Sequence, residues 1–302
     1  MIVVAETVAI LLPIVALIGL GHLLRRSGIF GPGLWSGIER LVYYLLFPAL
    51  LFGTLAGRPI DLGAGGLMIL VGFGLMFGGM LLSLAVRPLL SPSPRTFASL
   101  FQCGFRFNTY IGLALLGGMH GAEGIAAFAL LAGFVIPLAN VASVWALARH
   151  TRHAILPELA RNPFILATFG GLGWSALGLP LPDIALSTLL FLGEPALPLG
   201  LLATGAALTF TLEGRQQTLV AYFVVVKLLA VPALALGLAL AMGLTGAYLA
   251  AAVLLAALPP ASSAYILATR MGGDGPLVAA TVGAATVMAA VTLPVWLFVL
   301  GR

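Results

Sequence analysis

Residues 247–269 read AYLAAAVLLAALPPASSAYILAT, a run without a charged side chain that is interrupted near its middle by Pro259-Pro260. At a rise of about 1.5 Å per residue, a helix needs roughly 20 mainly apolar residues to cross a hydrocarbon core of about 30 Å. The run is long enough to cross, yet it cannot be one regular helix. Consecutive prolines remove two backbone donors and free carbonyls on the preceding turn. Irregular backbone at membrane depth is tolerated only where protein or a water-lined cavity surrounds it. The segment therefore reads as a spanning helix broken inside the protein.

The rest of the chain is of the same kind. Of 302 residues, 61% are hydrophobic and 8% charged, with a mean hydropathy of +1.16. Soluble domains carry about a quarter charged residues, because water must be faced everywhere. Fourteen basic and nine acidic side chains cannot cover a globule of this size, so lipid is the expected solvent for most of the surface. The net charge of +5 does not point to nucleic acid, since the arginines stand singly between apolar runs, as loop charges do at a membrane surface. A single cysteine, Cys103, excludes an intrachain disulfide and argues against a cysteine-based metal cluster. The first apolar run carries Glu6, lacks a basic leader and ends in Arg25-Arg26, so it is expected to stay as a spanning helix.

Cutting at charges, Pro/Gly clusters and Ser-rich turns gives ten runs, so the fold class is all-α, a membrane protein of about ten transmembrane helices. The runs lie at 3–24, 34–56, 64–86, 97–119 and 124–148, then at 163–179, 184–210, 217–242, 247–269 and 276–300. The odd-numbered loops hold Arg25, Arg26, Arg87, Arg95, Arg149, Arg152, Arg161, Arg215 and Arg270, against Arg58 and Arg302 on the other side. That asymmetry puts the odd loops in the cytoplasm and both termini outside. Residues 149–162, with His150 and His153, become a cytoplasmic connection between residues 1–148 and 163–302. The two histidines lack a carboxylate or thiol pattern for metal.

The two halves repeat each other. Phe47-Pro48-Ala49-Leu50-Leu51-Phe52-Gly53 parallels Glu194-Pro195-Ala196-Leu197-Pro198-Leu199-Gly200. Pro13 before Gly19-Leu20-Gly21 parallels Pro163 before Gly171-Leu172-Gly173, and Tyr110-Ile111 before Gly117-Gly118 parallels Tyr265-Ile266 before Gly272-Gly273. Five spans per half invert the second half relative to the first, the arrangement of alternating-access transporters.

These same motifs carry a family resemblance. Leu12-Pro13 through Gly21, Tyr43-Tyr44-Leu45-Leu46-Phe47-Pro48-Ala49-Leu50-Leu51 and Arg106-Phe107-Asn108-Thr109-Tyr110-Ile111-Gly112-Leu113 resemble the auxin efflux carrier family. So do Asn162-Pro163, Ala196-Leu197-Pro198-Leu199-Gly200 and Ala257-Leu258-Pro259 running on to Leu293-Pro294. The chain is similar to the compact bacterial members, within the bile-acid, auxin and arsenite type of transporter. The resemblance implies two inverted five-helix repeats, scaffold and transport domains each drawn from both repeats, and broken helices four and nine that cross. It implies transport of organic acids such as malate, malonate or auxins, by an elevator-type motion, in a bacterial inner membrane. Ala114 and Ala264 stand near places where the plant carriers have crossing prolines, so Asn108-Thr109, Gly112 and Pro259-Pro260 supply the irregularity here.

Candidate site residues follow from depth and chemistry. Arg106 lies about eleven residues beyond Arg95, roughly 16 Å deep, where an unpaired charge is costly. It is either a two-pronged carboxylate clamp or a structural partner of a helix end. Asn108 can bond backbone freed at a break and also donate to a substrate oxygen. Thr109 shares that reading, and Gln102 sits one turn before Arg106 on the same face. Ser262 and Ser263 follow the prolines at the start of a half-helix, whose positive dipole end suits an anion; Tyr265 can stack or hydrogen-bond, or be core. Glu194 and Lys227 fall near mid-depth on sequential helices and are expected to pair, as a structural ion pair or a coupling element.

The expected partners are a small organic anion and the lipid bilayer, with proton or sodium coupling and a homodimer as open alternatives, and no cofactor or nucleic acid. A sodium-coupled symporter of bile-acid-carrier type is the competing transport reading, although neither broken helix carries an acid at mid-depth. No HExxH, Gly-x-Ser-x-Gly or paired-aspartate pattern supports an intramembrane enzyme.

Overall fold

Hydrogen-bond saturation within each segment is what lipid demands, and helices are how this chain meets it. The computed structural model describes residues 2–56, 62–148, 163–208, 216–261 and 263–301. The loop 149–162, Arg58, Arg215, Arg302 and Ser262 lie outside the described residues. In chain order the helices are α1 (Ile2–Arg26), α2 (Pro32–Leu41), α3 (Phe47–Ala56), α4 (Leu62–Leu90) and α5 (Pro94–Phe101). They continue with α6 (Thr109–Ala148), α7 (Pro163–Ala176), α8 (Asp183–Gly193), α9 (Ala196–Ala206) and α10 (Gln216–Val225). The last four are α11 (Val231–Ala241), α12 (Gly246–Ala257), α13 (Ser263–Arg270) and α14 (Gly275–Val299). No strand occurs among the described residues. Six helical stretches there are long and apolar enough to cross a membrane.

Prolines explain most of the interruptions. A wide π turn, Val42–Leu46, joins α2 to α3 just before Pro48, and a second, Val226–Ala230, joins α10 to α11 just before Pro232. Helix α8 gives way to α9 at Glu194-Pro195. Where Pro stands at a helix start it fits, because the missing N–H would have no partner there. Pro94 opens α5 behind Ser93, whose Oγ accepts from the Thr96 N–H at 3.2 Å. Helix α14 starts in the same way behind Asp274, which accepts from Leu277 N–H at 3.2 Å.

Two expected spans change form. The run 97–119 is not one helix: α5 ends in a 3-10 turn, Gln102–Gly104, residues 105–108 are non-helical, and α6 begins at Thr109. The expected loop between 119 and 124 shrinks to one residue, Gly121, at φ 56° and ψ −139°. That conformation is open to glycine at little cost, so a single residue redirects α6. The run 247–269 breaks as its prolines require. Leu258 is extended (φ −66°, ψ 143°), as a residue before proline prefers, and helix resumes at Ser263.

Helix α12 is the centre of the packing. Every residue from 250 to 258 is buried, and α4, α6, α11 and α14 surround it. Its 12 residues rise only about 18 Å, too little to cross the hydrocarbon core alone. A second group packs α1 on α9, and α3 on α7 and α8.

Candidate functional site at two chain breaks

The two non-helical segments, 105–108 and 258–261, meet. The Asn108 N–H donates to the Pro259 carbonyl at 2.8 Å. Gln102, fully buried, donates from Nε2 to the Ala264 carbonyl at 3.1 Å and to the Ser99 carbonyl at 3.2 Å. Arg106 is half-buried; Nη1 donates to Gln102 Oε1 and Nη2 to Ser263 Oγ, each at 3.3 Å. Residues from the two halves of the chain thus share one hydrogen-bonded cluster.

Close approach requires glycine at this junction. A Cβ on Gly112 would lie 2.3 Å from Phe128 Cζ and 2.7 Å from Leu258 Cδ1, so the first turn of α6 sits directly on the other break. Leu258 and the whole of Pro259-Pro260 are buried. Tyr110 stacks on Phe47 of α3 at 4.8 Å between ring centroids, and its ring covers Gly200 of α9. The cluster therefore borders both groups of helices.

Asn108 turns out to be committed to the backbone. Its Oδ1 accepts from the N–H groups of Tyr110 at 3.0 Å and Ile111 at 3.3 Å, which caps α6. Its Nδ2 donates to the Thr204 hydroxyl on α9 at 3.3 Å. With 1% of its surface exposed, Asn108 holds the break rather than facing an open cavity. Thr109 and Tyr265 are half-buried beside the junction, and Ser263 is exposed.

Arg106 is the chemically unsatisfied member. Its hydrogen-bond partners among the described residues are two neutral oxygens, and a guanidinium has five donors. A half-buried cation without a carboxylate partner is unusual, because burial penalises charge that nothing compensates. The arrangement can receive a carboxylate through two parallel hydrogen bonds.

The expected Glu194–Lys227 pair does not form. Glu194 is exposed, at the turn between α8 and α9, whereas Lys227 is completely buried. Lys227 Nζ instead donates to the carbonyls of Leu255, at 3.3 Å, and Ala256. Depth counting along two helices gave similar heights but could not give the direction each side chain faces. Thr204 escaped the sequence reading, and Lys227 was singled out there with the wrong partner. Thr204 carried no signal, being one of many threonines in apolar sequence. The role of Lys227 was signalled, since the paired prolines free carbonyls and it is a buried cation without a necessary partner acid.

Fold and site together define an integral membrane protein of apolar helices, with a cationic centre where two chain breaks meet. A profile of the membrane transport protein family matches residues 7–144 and 140–297. The chain belongs to that family, the auxin-efflux-carrier-like membrane transporters, and it is a transporter, not an enzyme. It is 29% identical over 306 residues to a protein of Rhizobium meliloti (strain 1021) named "Putative malonate transporter", covering 96% of this chain and 94% of that one. It is 24% identical over 294 residues to an "Uncharacterized transporter" of Methanothermobacter thermautotrophicus, covering 96% and 97%.

Proposed function

We propose that this protein is a secondary carrier of small organic anions, dicarboxylates of the malonate class first, working by alternating access. The observation that carries the reading is Arg106: a half-buried guanidinium at the meeting of two chain breaks, with only neutral oxygens on it among the described residues. An anion entering there gains charge-assisted hydrogen bonds that a neutral solute cannot make. Arg106 and Ser263, with Thr109 beside them, form the substrate contacts, and Ser262 joins them as a candidate on its sequence position alone. Gln102, Asn108, Gly112, Pro259 and Pro260 hold the geometry, and Tyr265 flanks it. The name of the Rhizobium meliloti relative agrees with the substrate class.

The finer architecture belongs to the same proposal. Ten spans in two inverted five-helix repeats, 1–148 and 163–302, are supported by paired interruptions: at Val42–Leu46 and Glu194-Pro195, and at 105–108 and 258–261. An elevator motion is supported by two sets of packed helices, α1 with α9 and α3 with α7 and α8 on one side and α12 with α4, α6, α11 and α14 on the other. They meet through α6 and the α1–α14 contact, with the cluster where they join. Both termini lie outside and residues 149–162 lie in the cytoplasm, on the arginine asymmetry. Proton coupling fits better than sodium. A sodium site needs several oxygens, and the two carbonyls freed by the prolines already accept from the Lys227 ammonium.

Purified protein in proteoliposomes, supplied with radiolabelled malonate, malate, a monocarboxylate and a neutral ester, tests the proposal. Saturable uptake of a carboxylate, unchanged by sodium and absent for the ester, is expected. Failure of every carboxylate to cross overturns it.

A further inference from the structure

Backbone arithmetic at the second break identifies what holds it open. In an α-helix the N–H of residue i serves the carbonyl of residue i−4. Continued helix would have used the N–H groups of residues 259 and 260 for the carbonyls of Leu255 and Ala256. Proline has no N–H, so Pro259 and Pro260 leave those two carbonyls without their partners. They are the two carbonyls that Lys227 Nζ reaches. Leu254, one residue earlier, keeps its normal partner, the Leu258 N–H at 2.9 Å.

A cation suits this place for a second reason. The carbonyl end of α12 carries the negative end of the helix dipole, and a lysine there is favoured. This explains how Lys227 is fully buried with no acid beside it among the described residues.

Lys227 is itself seated by the same device. It stands in the π turn Val226–Ala230, and Pro232 withdraws the N–H that the Leu228 carbonyl would have received. That carbonyl accepts from the Trp296 indole of α14 at 2.8 Å. Two side-chain donors thus replace three backbone donors, from Trp296 through the Lys227 turn to the end of α12.

We infer that Lys227 is a positioning residue: its ammonium replaces the N–H groups missing at Pro259-Pro260 and so fixes the break that places Ser263 against Arg106. On the other side of that break, Asn108 holds the Pro259 carbonyl and Gln102 the Ala264 carbonyl. Removing Lys227 leaves two carbonyls unpaired in a dry interior, and the chain between 255 and 263 must shift to pair them.

The test combines Lys227→Met with Pro259→Ala, Pro260→Ala, which restores both backbone donors. In the native background Lys227→Met lowers the thermal midpoint of the detergent-purified protein. In the alanine background its effect falls to less than half. Equal destabilisation in both backgrounds, or none in either, overturns the inference. The second readout is transport, and it rests on the proposed anion site. Lys227→Met raises KM for the transported carboxylate at least fivefold, and Lys227→Arg, which keeps donors and charge, restores at least half of the affinity. A merely structural loss lowers the number of active carriers and hence Vmax alone, so an unchanged KM also overturns the inference. If Lys227→Met yields no folded protein, Lys227→Gln is measured in the same two backgrounds against the same criteria. Absence of carboxylate transport by the unsubstituted protein is a failure of the anion-site reading, and the thermal comparison then decides this inference alone.

Discussion

Replacing Asn108 by alanine separates a residue that holds the break from one that touches the substrate. The substitution removes Oδ1, which accepts from the Tyr110 and Ile111 N–H groups at the start of α6. Loss of an asparagine cap costs about 0.5–2 kcal/mol. The amide bond to Thr204 adds about 0.5–1.5 kcal/mol, and no more, because the Thr204 hydroxyl keeps its own bond to the Gly200 carbonyl at 2.9 Å. The expected total is about 1–3.5 kcal/mol, and α6 should loosen at its first turn. Anion binding then weakens roughly tenfold, the equivalent of about 1.4 kcal/mol. Asn108→Ser retains a capping oxygen without adding charge and loses the donor to Thr204, so it stays within about 1 kcal/mol of the native protein. With the first turn of α6 held, its anion binding stays close to native. Thermal unfolding in detergent and equilibrium binding of the transported anion measure the two effects separately. A serine variant as unstable as the alanine variant, or an alanine variant of native stability, refutes the capping account.

Three further outcomes follow from the same geometry. Gly112→Ala places a methyl 2.3 Å from the Phe128 ring and 2.7 Å from Leu258; overpacking should destabilise by about 1–3 kcal/mol, and a native melting temperature would contradict the contact. Glu194→Gln should leave folded yield and melting unchanged and should not rescue Lys227→Met, because the two side chains do not pair; rescue would restore the ion-pair reading. With Cys103 replaced by serine, a cysteine at position 153 should react with an impermeant reagent from the cytoplasmic side, and labelling from the opposite side would reverse the proposed orientation.

Much of this was legible in the sequence, and the physical reasons are specific. Apolar run length placed α1, α4 and α14 within a few residues, because lipid forces helix wherever nothing interrupts it. Pro259-Pro260 announced its break, since a missing donor is a covalent fact. The break at 105–108 was harder: no proline marks it, and the chain leaves helix through Gly104, whose Cβ would collide with Ser83 Oγ at 1.9 Å, a contact that only tertiary structure creates. Arg106, Gln102 and Ser263 were found by the rule that polar groups in apolar runs have reasons, and the structure brings them together. The same rule chose Lys227 but gave it the wrong partner. Opposite charges at similar depth suggested a pair, whereas a carbonyl end freed by proline competes for an ammonium equally well. Asn108 was read as both backbone repair and substrate contact, and its bonds to Tyr110, Ile111 and Thr204 favour the first.

The central claim is that the Arg106 guanidinium receives the anion, and binding by purified Arg106→Gln protein tests it most directly. A hydrogen bond to a charged group contributes about 1.5–3 kcal/mol, so affinity for the transported carboxylate should fall at least tenfold. Glutamine can still donate to Ser263, so the melting temperature should stay close to native. A folded Arg106→Gln protein that binds the carboxylate with native affinity would contradict the account.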